Sequence, residues 1–341
     1  MISPVLFQTI YLSVIIFIFG TVIGSFLNVL IYRLPIGLDF KKGNSFCPKC
    51  EHELKWYDLF PLFSYIFLRG KCRYCKAKIS PQYPIVEALN GIMYVLAFVF
   101  LCKADYKMFP EFFGYCIILS CLIVLSWTDS IHNIIPDSMW IGVLIGGIDL
   151  YICQIVRAGG FVWADLFERL IGLVLVSGVL FILGTIFERL KGIDAIGGGD
   201  IKLMAAAGFA LGWSKVVFAT LVGTVIGLII TIIYITVSYK KEQRAKGLDP
   251  KKERAKAKEE KAKLREEEKK ANENKIAKKV KAQRELEKLE EVAEEEEEEE
   301  DEERVGGQVP FGPHLAFGIA FALFFGDKIL TWYVDNFANL P

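Results

Sequence analysis

The chain has 341 residues, 53% of them apolar, with 40 basic and 40 acidic side chains and a formal net charge of zero. Length alone would allow two or three soluble domains, but the apolar residues fall in long runs rather than short alternation, which excludes that reading. The neutral balance hides a segregation: Lys240–Val305 holds 21 of the basic and 23 of the acidic residues.

In chain order the candidate membrane spans are Val5–Tyr32, Val86–Cys102, Phe109–Trp127, Ser138–Val156, Leu166–Phe187, Ile201–Trp213, Lys215–Tyr239 and Pro313–Val334. Most reach the ~20 residues an α-helix needs to cross hydrocarbon. Ile201–Trp213 is shorter and predicts a tilted, thin crossing or a re-entrant piece. The expected fold is an all-α polytopic membrane protein of about eight transmembrane helices. Four regions divide it: 1–85, an N-terminal anchor and cysteine loop; 86–239, a membrane core; 240–305, a charged insertion; and 306–341, a final membrane segment. The first run has no Lys or Arg before it and no small-residue cleavage site, so it reads as a retained anchor.

Orientation follows from the loops. The loop after the first span carries ten Lys and Arg between Arg33 and Lys78, and the loop after the seventh begins KKEQRAK. Placing both in the cytoplasm satisfies one alternating topology, although six crossings separate them.

The first loop reads CPKC and, 21 residues on, CRYC. Two such knuckles, Cys47 with Cys50 and Cys72 with Cys75, can close a tetrahedral four-thiolate zinc site. The competing readings are two disulfides or four free thiols. A reducing cytoplasmic location disfavours stable disulfides. Zinc held by four cysteines has no open position, so it would fold the loop and not catalyse; His52 is then superfluous. Cys102, Cys116, Cys121 and Cys153 lie in apolar spans and read as small buried hydrophobes.

Two carboxylates reach the same predicted face. Asp129, in SWTDSIHNIIPD, ends the third span, and Asp200, in GGGDIKLMAAAG, opens the sixth. Like charges a few ångströms apart cannot both ionise, so such a pair can share a proton and activate a water. The competing reading of either Asp is a helix cap or an interfacial charge. Asp137, after Pro136, reads as a cap; nothing local singles out Asp149, Asp194 or Asp327. Gly197, Gly198 and Gly199 would support the site, by close backbone approach and by dihedrals closed to other residues, and Lys202 follows one helical step later. Helix ends favour charge on Asp200, at an N-terminus, and the proton on Asp129, at a C-terminus.

Five ordered motifs carry a resemblance. IGGGDIKLMAAAGFALG, with its GxGD core, and TDSIHNIIPD resemble the two aspartate motifs of type IV prepilin peptidases. GSFLNVLIYRLP, ISPQYPIVEALNG and PFGPHLAFG resemble further signatures of that family. The resemblance implies a hydrolase, a membrane aspartic endopeptidase that removes the basic leader of prepilins or pseudopilins, with Asp129 and Asp200 catalytic. It also implies N-methylation of the new N-terminus with S-adenosylmethionine, and the tetracysteine loop marks the members that methylate. The chain has no strand-embedded GxGxxG. Any methyl transfer then falls to the N-terminal third, where Glu87 is the foremost candidate; an interfacial Glu is the competing reading.

The insertion departs from the family. It ends in ten consecutive acids, Glu294–Glu303, and spaces Glu242/Lys246, Glu259/Lys263 and Glu266/Lys270 as helix-stabilising pairs. A solvated helix with a disordered acidic end is expected, and the acids could concentrate basic leaders. A transporter or ion relay predicts acids near the midplane, and a zinc-folded scaffold leaves the GGGD segment without a purpose. The expected partners are prepilins or pseudopilins and lipid, with no nucleic acid, at a bacterial cytoplasmic membrane and with the site facing the cytoplasm.

Overall fold

The computed structural model describes residues 4–38, 45–191, 196–245 and 310–338. The insertion beyond residue 245, and Asp194, lie outside the described residues. Nine helices are described: α1 (Pro4–Arg33), α2 (Phe63–Phe67), α3 (Gln82–Leu96), α4 (Phe109–His132), α5 (Asp137–Ala158), α6 (Trp163–Lys191), α7 (Gly198–Leu211), α8 (Trp213–Ala245) and α9 (Gly312–Tyr333). Among the described residues β-pairing is limited to two isolated bridges, Phe46 with Glu53 and Lys71 with Lys78. The chain divides into Met1–Gly227 with Pro310–Pro341, which holds every candidate site residue, and Leu228–Val309, which contains the later part of α8.

Among the described residues, seven helices are long and apolar enough to cross a membrane: α1, α3 with its continuation to Leu101, α4, α5, α6, α8 and α9. The eighth expected crossing is α7. Its 14 residues extend about 21 Å at 1.5 Å per residue, short of the ~30 Å hydrocarbon thickness. Large apolar side chains such as Ile171, Val174 and Phe181 of α6 and Leu221 and Val225 of α8 are exposed. Contiguous apolar surface of this kind suits lipid contact, and the chain is a multi-pass membrane protein.

Local sequence sets the turn that ends α4. Asn133 adopts a left-handed conformation and its N–H returns to the Asp129 carbonyl at 2.8 Å, the short polar side chain being tolerated there. Pro136 then sits at the N-cap of α5. Asp137 is therefore the first residue of α5 and makes no cap hydrogen bond, in contrast to the expectation. Its carboxylate is taken by Trp140 Nε1 at 2.7 Å and Lys202 Nζ at 2.8 Å.

The core surrounds α4. Ile118, Leu122, Val124 and Leu125 pack in one buried cluster with Leu203 and Met204 of α7, Leu315 and Ile319 of α9, Leu27 and Ile31 of α1, and Val86 of α3. A second cluster joins Ile16, Tyr94, Phe98 and Phe112, and absorbs Cys102 and Cys116 as small apolar groups. Some polar groups between these helices are satisfied in pairs. Asn90 Nδ2 donates to the Gly20 carbonyl at 2.7 Å, and Ser120 Oγ donates to Asn90 Oδ1 at 3.1 Å, as apolar surroundings require.

Small residues set the closest helix approaches. A Cβ on Gly24 would lie 2.7 Å from the Glu87 Cα, so α1 and α3 touch backbone to backbone. Gly172 of α6 and Gly208 of α7 meet in the same way. At that end Arg169 Nη1 donates to the carbonyls of Phe209 and Ala210 at 3.0 and 2.9 Å, capping the last turn of α7. Asp327 pairs with Lys215 at 2.6 Å, Glu111 pairs with Arg157, and Asp149 Oδ2 is buried without a hydrogen-bond partner.

Gly208→Val is expected to lower the melting temperature of detergent-solubilised protein, with an overpacking cost of about 1–3 kcal/mol or more. Gly160→Ala, where an added Cβ meets nothing within 4 Å, should shift it by no more than about 0.5 kcal/mol. Thermal unfolding of both variants checks the contrast.

Candidate active site and cysteine module

The last turn of α4, the first turns of α7 and α9, and the start of α5 converge at one end of the bundle. Asp129 is 7% exposed and accepts the Gly312 N–H at 2.9 Å on Oδ2. Asp200 lies within electrostatic reach of Asp129. Its Oδ1 is buried with no hydrogen-bond partner. Ile135 packs against both Gly199, next to Asp200, and Gly312, next to Asp129. A Cβ on Gly199 would lie 2.9 Å from Ile135 Cβ, and one on Gly312 would lie 3.2 Å from Ile135 Cδ1 and 2.7 Å from Asp129 Oδ2.

The three glycines serve through space and not through unusual dihedrals. None has a positive φ, and Gly197 is an ordinary extended N-cap with φ −62° and ψ 135°. Gly197 leaves room for the Asp200 carboxylate, Gly199 for Ile135, and Gly198 faces open space. That corrects the expectation that closed dihedrals explain them. Lys202 reaches Asp137 of α5, not Asp200, and ties the start of α7 to the start of α5.

The four loop cysteines come together: the Sγ atoms of Cys47, Cys50, Cys72 and Cys75 lie within 4.8 Å of one another. Cys47 and Cys75 are 3.9 Å apart, against roughly 3.8 Å for thiolates at the corners of a zinc tetrahedron. The donor set fits zinc. Each knuckle closes alike. Glu51 N–H returns to the Cys47 carbonyl at 2.8 Å and Lys76 N–H to the Cys72 carbonyl at 3.0 Å, with left-handed Glu51 and Lys76 completing the turns. Backbone N–H groups of Cys75 and Tyr74 directed at Cys72 lower its thiol to about 7. His52 stacks on Tyr74, centroids 3.7 Å apart, and stands outside the cluster. Burial works to raise the Asp58 carboxyl, but hydrogen bonds from Arg73 and Tyr74 outweigh it and hold it below the usual carboxylate range.

Glu87 is buried at the first turns of α3. Its Oε2 accepts the Leu62 N–H at 2.8 Å, and the Ser25 hydroxyl of α1 also contacts it. Leu62 has φ 60° and ψ −49°, and the Phe63 N–H reaches the Pro61 carbonyl at 2.6 Å. Those values define a γ-turn of the rarer, strained hand. Glu87 thus latches the α2 segment to α1 and α3, over a cavity of about 520 Å³ whose wall includes Tyr65, Tyr83 and Glu87.

Sequence reading named both aspartates, the four cysteines and Glu87, and the structure brings the four cysteines together. It missed Ile135 and Leu62, which carry no chemical signature. It noted the PFGP segment without seeing that its backbone N–H reaches Asp129; such a contact, between residues 183 apart, has no local trace.

The fold and this site define a class: a multi-pass membrane protein with paired carboxylates at one end of its helices. The bacterial peptidase A24 N-terminal domain matches residues 18–101, and the type IV leader peptidase family matches residues 116–232. A prepilin leader peptidase/N-methyltransferase of Klebsiella pneumoniae is 34% identical over 210 residues, 58% of this chain and 84% of the relative. One of Neisseria gonorrhoeae is 32% identical over 245 residues, covering 63% and 80%. One of Aeromonas hydrophila is 27% identical over 347 residues, covering 95% and 94%. The chain belongs to the type IV leader peptidase family. No solved structure gives a significant match.

Cobalt(II) added to metal-stripped protein is expected to give the thiolate charge-transfer absorption of a four-sulfur site. Cys47→Ser should weaken that band and lower the bound-metal ratio, read by absorbance and elemental analysis.

Proposed function

We infer that this protein is a bifunctional prepilin leader peptidase and N-methyltransferase. It cuts the basic leader from type IV prepilins or pseudopilins and methylates the N-terminus so exposed. The observation that carries the peptidase reading is the convergence of Asp129, Asp200 and the Gly312 N–H at one end of the bundle, in a chain of this family. A transporter or a scaffold gives that convergence no task.

The cut needs one ionised and one protonated carboxyl with a water between them. Helix ends alone would put the charge on Asp200. The hydrogen bonding favours the reverse. A backbone N–H at 2.9 Å stabilises negative charge on Asp129, while the partnerless Asp200 Oδ1 suits the shared proton; titration belongs to the pair. In this reading Asp129 takes a proton from the water as its oxygen attacks the scissile carbonyl. Asp200 gives its proton to the carbonyl oxygen, and collapse of the tetrahedral carbon releases the amine with a proton from the pair. The open side of Gly198 leaves room for an extended peptide. Lys202 holds the α7 start against α5 through Asp137.

The basic loop between Arg33 and Lys78 supports a cytoplasmic position for this end of the bundle, at a bacterial inner membrane, where a prepilin leader would reside while its apolar segment lies in lipid. Zinc on the four cysteines folds the loop of the 1–85 region. Region 86–239 and the final segment 306–341 supply the peptidase, with α7 as a short eighth crossing. S-adenosylmethionine, when bound, supplies an electrophilic methyl group, and Glu87 is the methyl-transfer candidate.

Purified protein incubated with a prepilin peptide and deuteriomethyl-labelled S-adenosylmethionine should yield a cleaved product heavier by one labelled methyl, read by mass. Asp129→Asn and Asp200→Asn should each slow cleavage by on the order of 10²–10⁴-fold, the usual size of a general acid–base contribution. Wild-type turnover in either variant removes that residue from the chemistry.

A further inference from the structure

The loop stretch from Trp56 to Leu68 reads WYDLFPLFSYIFL, with Asp58 as its one charged residue. It belongs to none of the seven helices of crossing length. Neither its 3₁₀ turn, Trp56–Asp58, nor α2 buries a residue.

A segment lying on a water-exposed surface turns its polar side outward and its apolar side inward. Here the hydroxyl residues Ser64 and Tyr65 face the cavity beneath the cysteines. Phe63, Ile66 and Phe67, spaced i, i+3 and i+4 on one helical face, point away from it, with Ile66 67% and Phe67 81% exposed. Trp56, at 78%, and Phe60 are exposed as well, and the Phe60 and Phe63 rings meet edge to face at 5.7 Å. So much large apolar surface in one short stretch marks an interaction face.

Its depth says what covers it. Glu87 of α3 holds the Leu62 N–H at 2.8 Å, and the backbone of α3 at Glu87 touches α1 at Gly24. Asn28 of α1, which shares the cavity wall with Glu87, donates to the Tyr83 carbonyl at 3.1 Å one turn further on. α1 runs nine more residues past Gly24 to Arg33, about 13–14 Å at 1.5 Å per residue. The stretch is therefore tethered beside the last turns of a crossing helix and not beyond its end. Val22 of α1 and Ile85 of α3, near the same level, are exposed apolar residues too.

Composition agrees with that depth. Aromatic side chains concentrate where headgroups meet acyl chains. Lys55, Arg69 and Lys71 flank the stretch and are exposed, as cations that suit anionic headgroups. Its acid is withdrawn, since Asp58 accepts from Arg73 at 2.6 Å and from Tyr74 at 3.0 Å.

We propose that Trp56, Phe60, Phe63, Ile66 and Phe67 form an interfacial anchor seated in the bilayer leaflet at this end of the bundle. Acyl chains cover the aromatic face, and headgroups meet the flanking cations. The cysteine module is then held against the membrane by lipid as well as by the Leu62–Glu87 bond.

The test uses the full chain, one per nanodisc of phosphatidylethanolamine and phosphatidylglycerol. Phe67→p-benzoylphenylalanine and Ile66→p-benzoylphenylalanine, once irradiated, should each give a phospholipid adduct read by mass. The same probe at Val22 serves as the lipid-facing reference, and zinc content and melting temperature are read alongside. Adducts with polypeptide alone, or none where the Val22 probe gives one, overturn the anchor. If the probe variants fail to fold, hydroxyl-radical footprinting of wild type in the same nanodiscs decides. Trp56 and Phe67 are more exposed than Tyr74 of the same module. After scaling to free amino-acid reactivity, they should nevertheless be oxidised at least about fivefold less than Tyr74, because insertion excludes water. Oxidation in proportion to their exposure overturns the anchor as well.

Discussion

The hydrogen bond from the Gly312 N–H to Asp129 joins the end of α4 to the start of α9, 183 residues away. A carboxylate near lipid is costly unless something answers its charge, and here the answer is a backbone donor with no side chain of its own. Glycine is needed for the approach, because a Cβ at 312 would lie 2.7 Å from the carboxylate oxygen. The bond makes α9 part of the site and gives the two aspartates different surroundings. That difference, and not their shared residue type, is what the proposed division into base and acid rests on.

The rest of the bundle holds those helix ends in place. α7 is too short to be anchored by lipid at both ends, so it is pinned by protein. Arg169 caps its last carbonyls, the Gly172–Gly208 contact locks it to α6, and Lys202 ties its first turn to Asp137. Its middle lies in the core with Leu203 and Met204 fully buried. The N-terminal part follows a parallel logic on a different scale. Gly24 brings α1 against α3 at Glu87, and Glu87 in turn latches a strained turn of the loop. Both candidate chemical centres therefore depend on glycine contacts that allow backbone to meet backbone.

The sequence was legible where chemistry and period leave a local record. Long apolar runs marked seven helices of crossing length, with bounds within a few residues for α4 and α5. Paired CxxC knuckles marked a four-sulfur cluster. Acids at the edges of apolar runs marked Asp129 and Asp200. The reading was weaker where one residue type supports several tasks: Asp137 resembled a cap and is an ion-pair partner, and Gly197 and Gly199 resembled dihedral specialists but provide clearance.

From the sequence by itself came the all-helical membrane class and the cysteine cluster, because hydrophobic period and ligand spacing are properties of neighbours in the chain; the choice of Asp129 and Asp200 among several acids beside apolar runs came from the motifs around them. Only the tertiary structure decided which acid has a donor, what Lys202 and Asp137 do, and that Glu87 and Asn28 share one cavity. Those facts are contacts between segments tens to hundreds of residues apart, fixed by packing of helices against one another and written in no single stretch of chain.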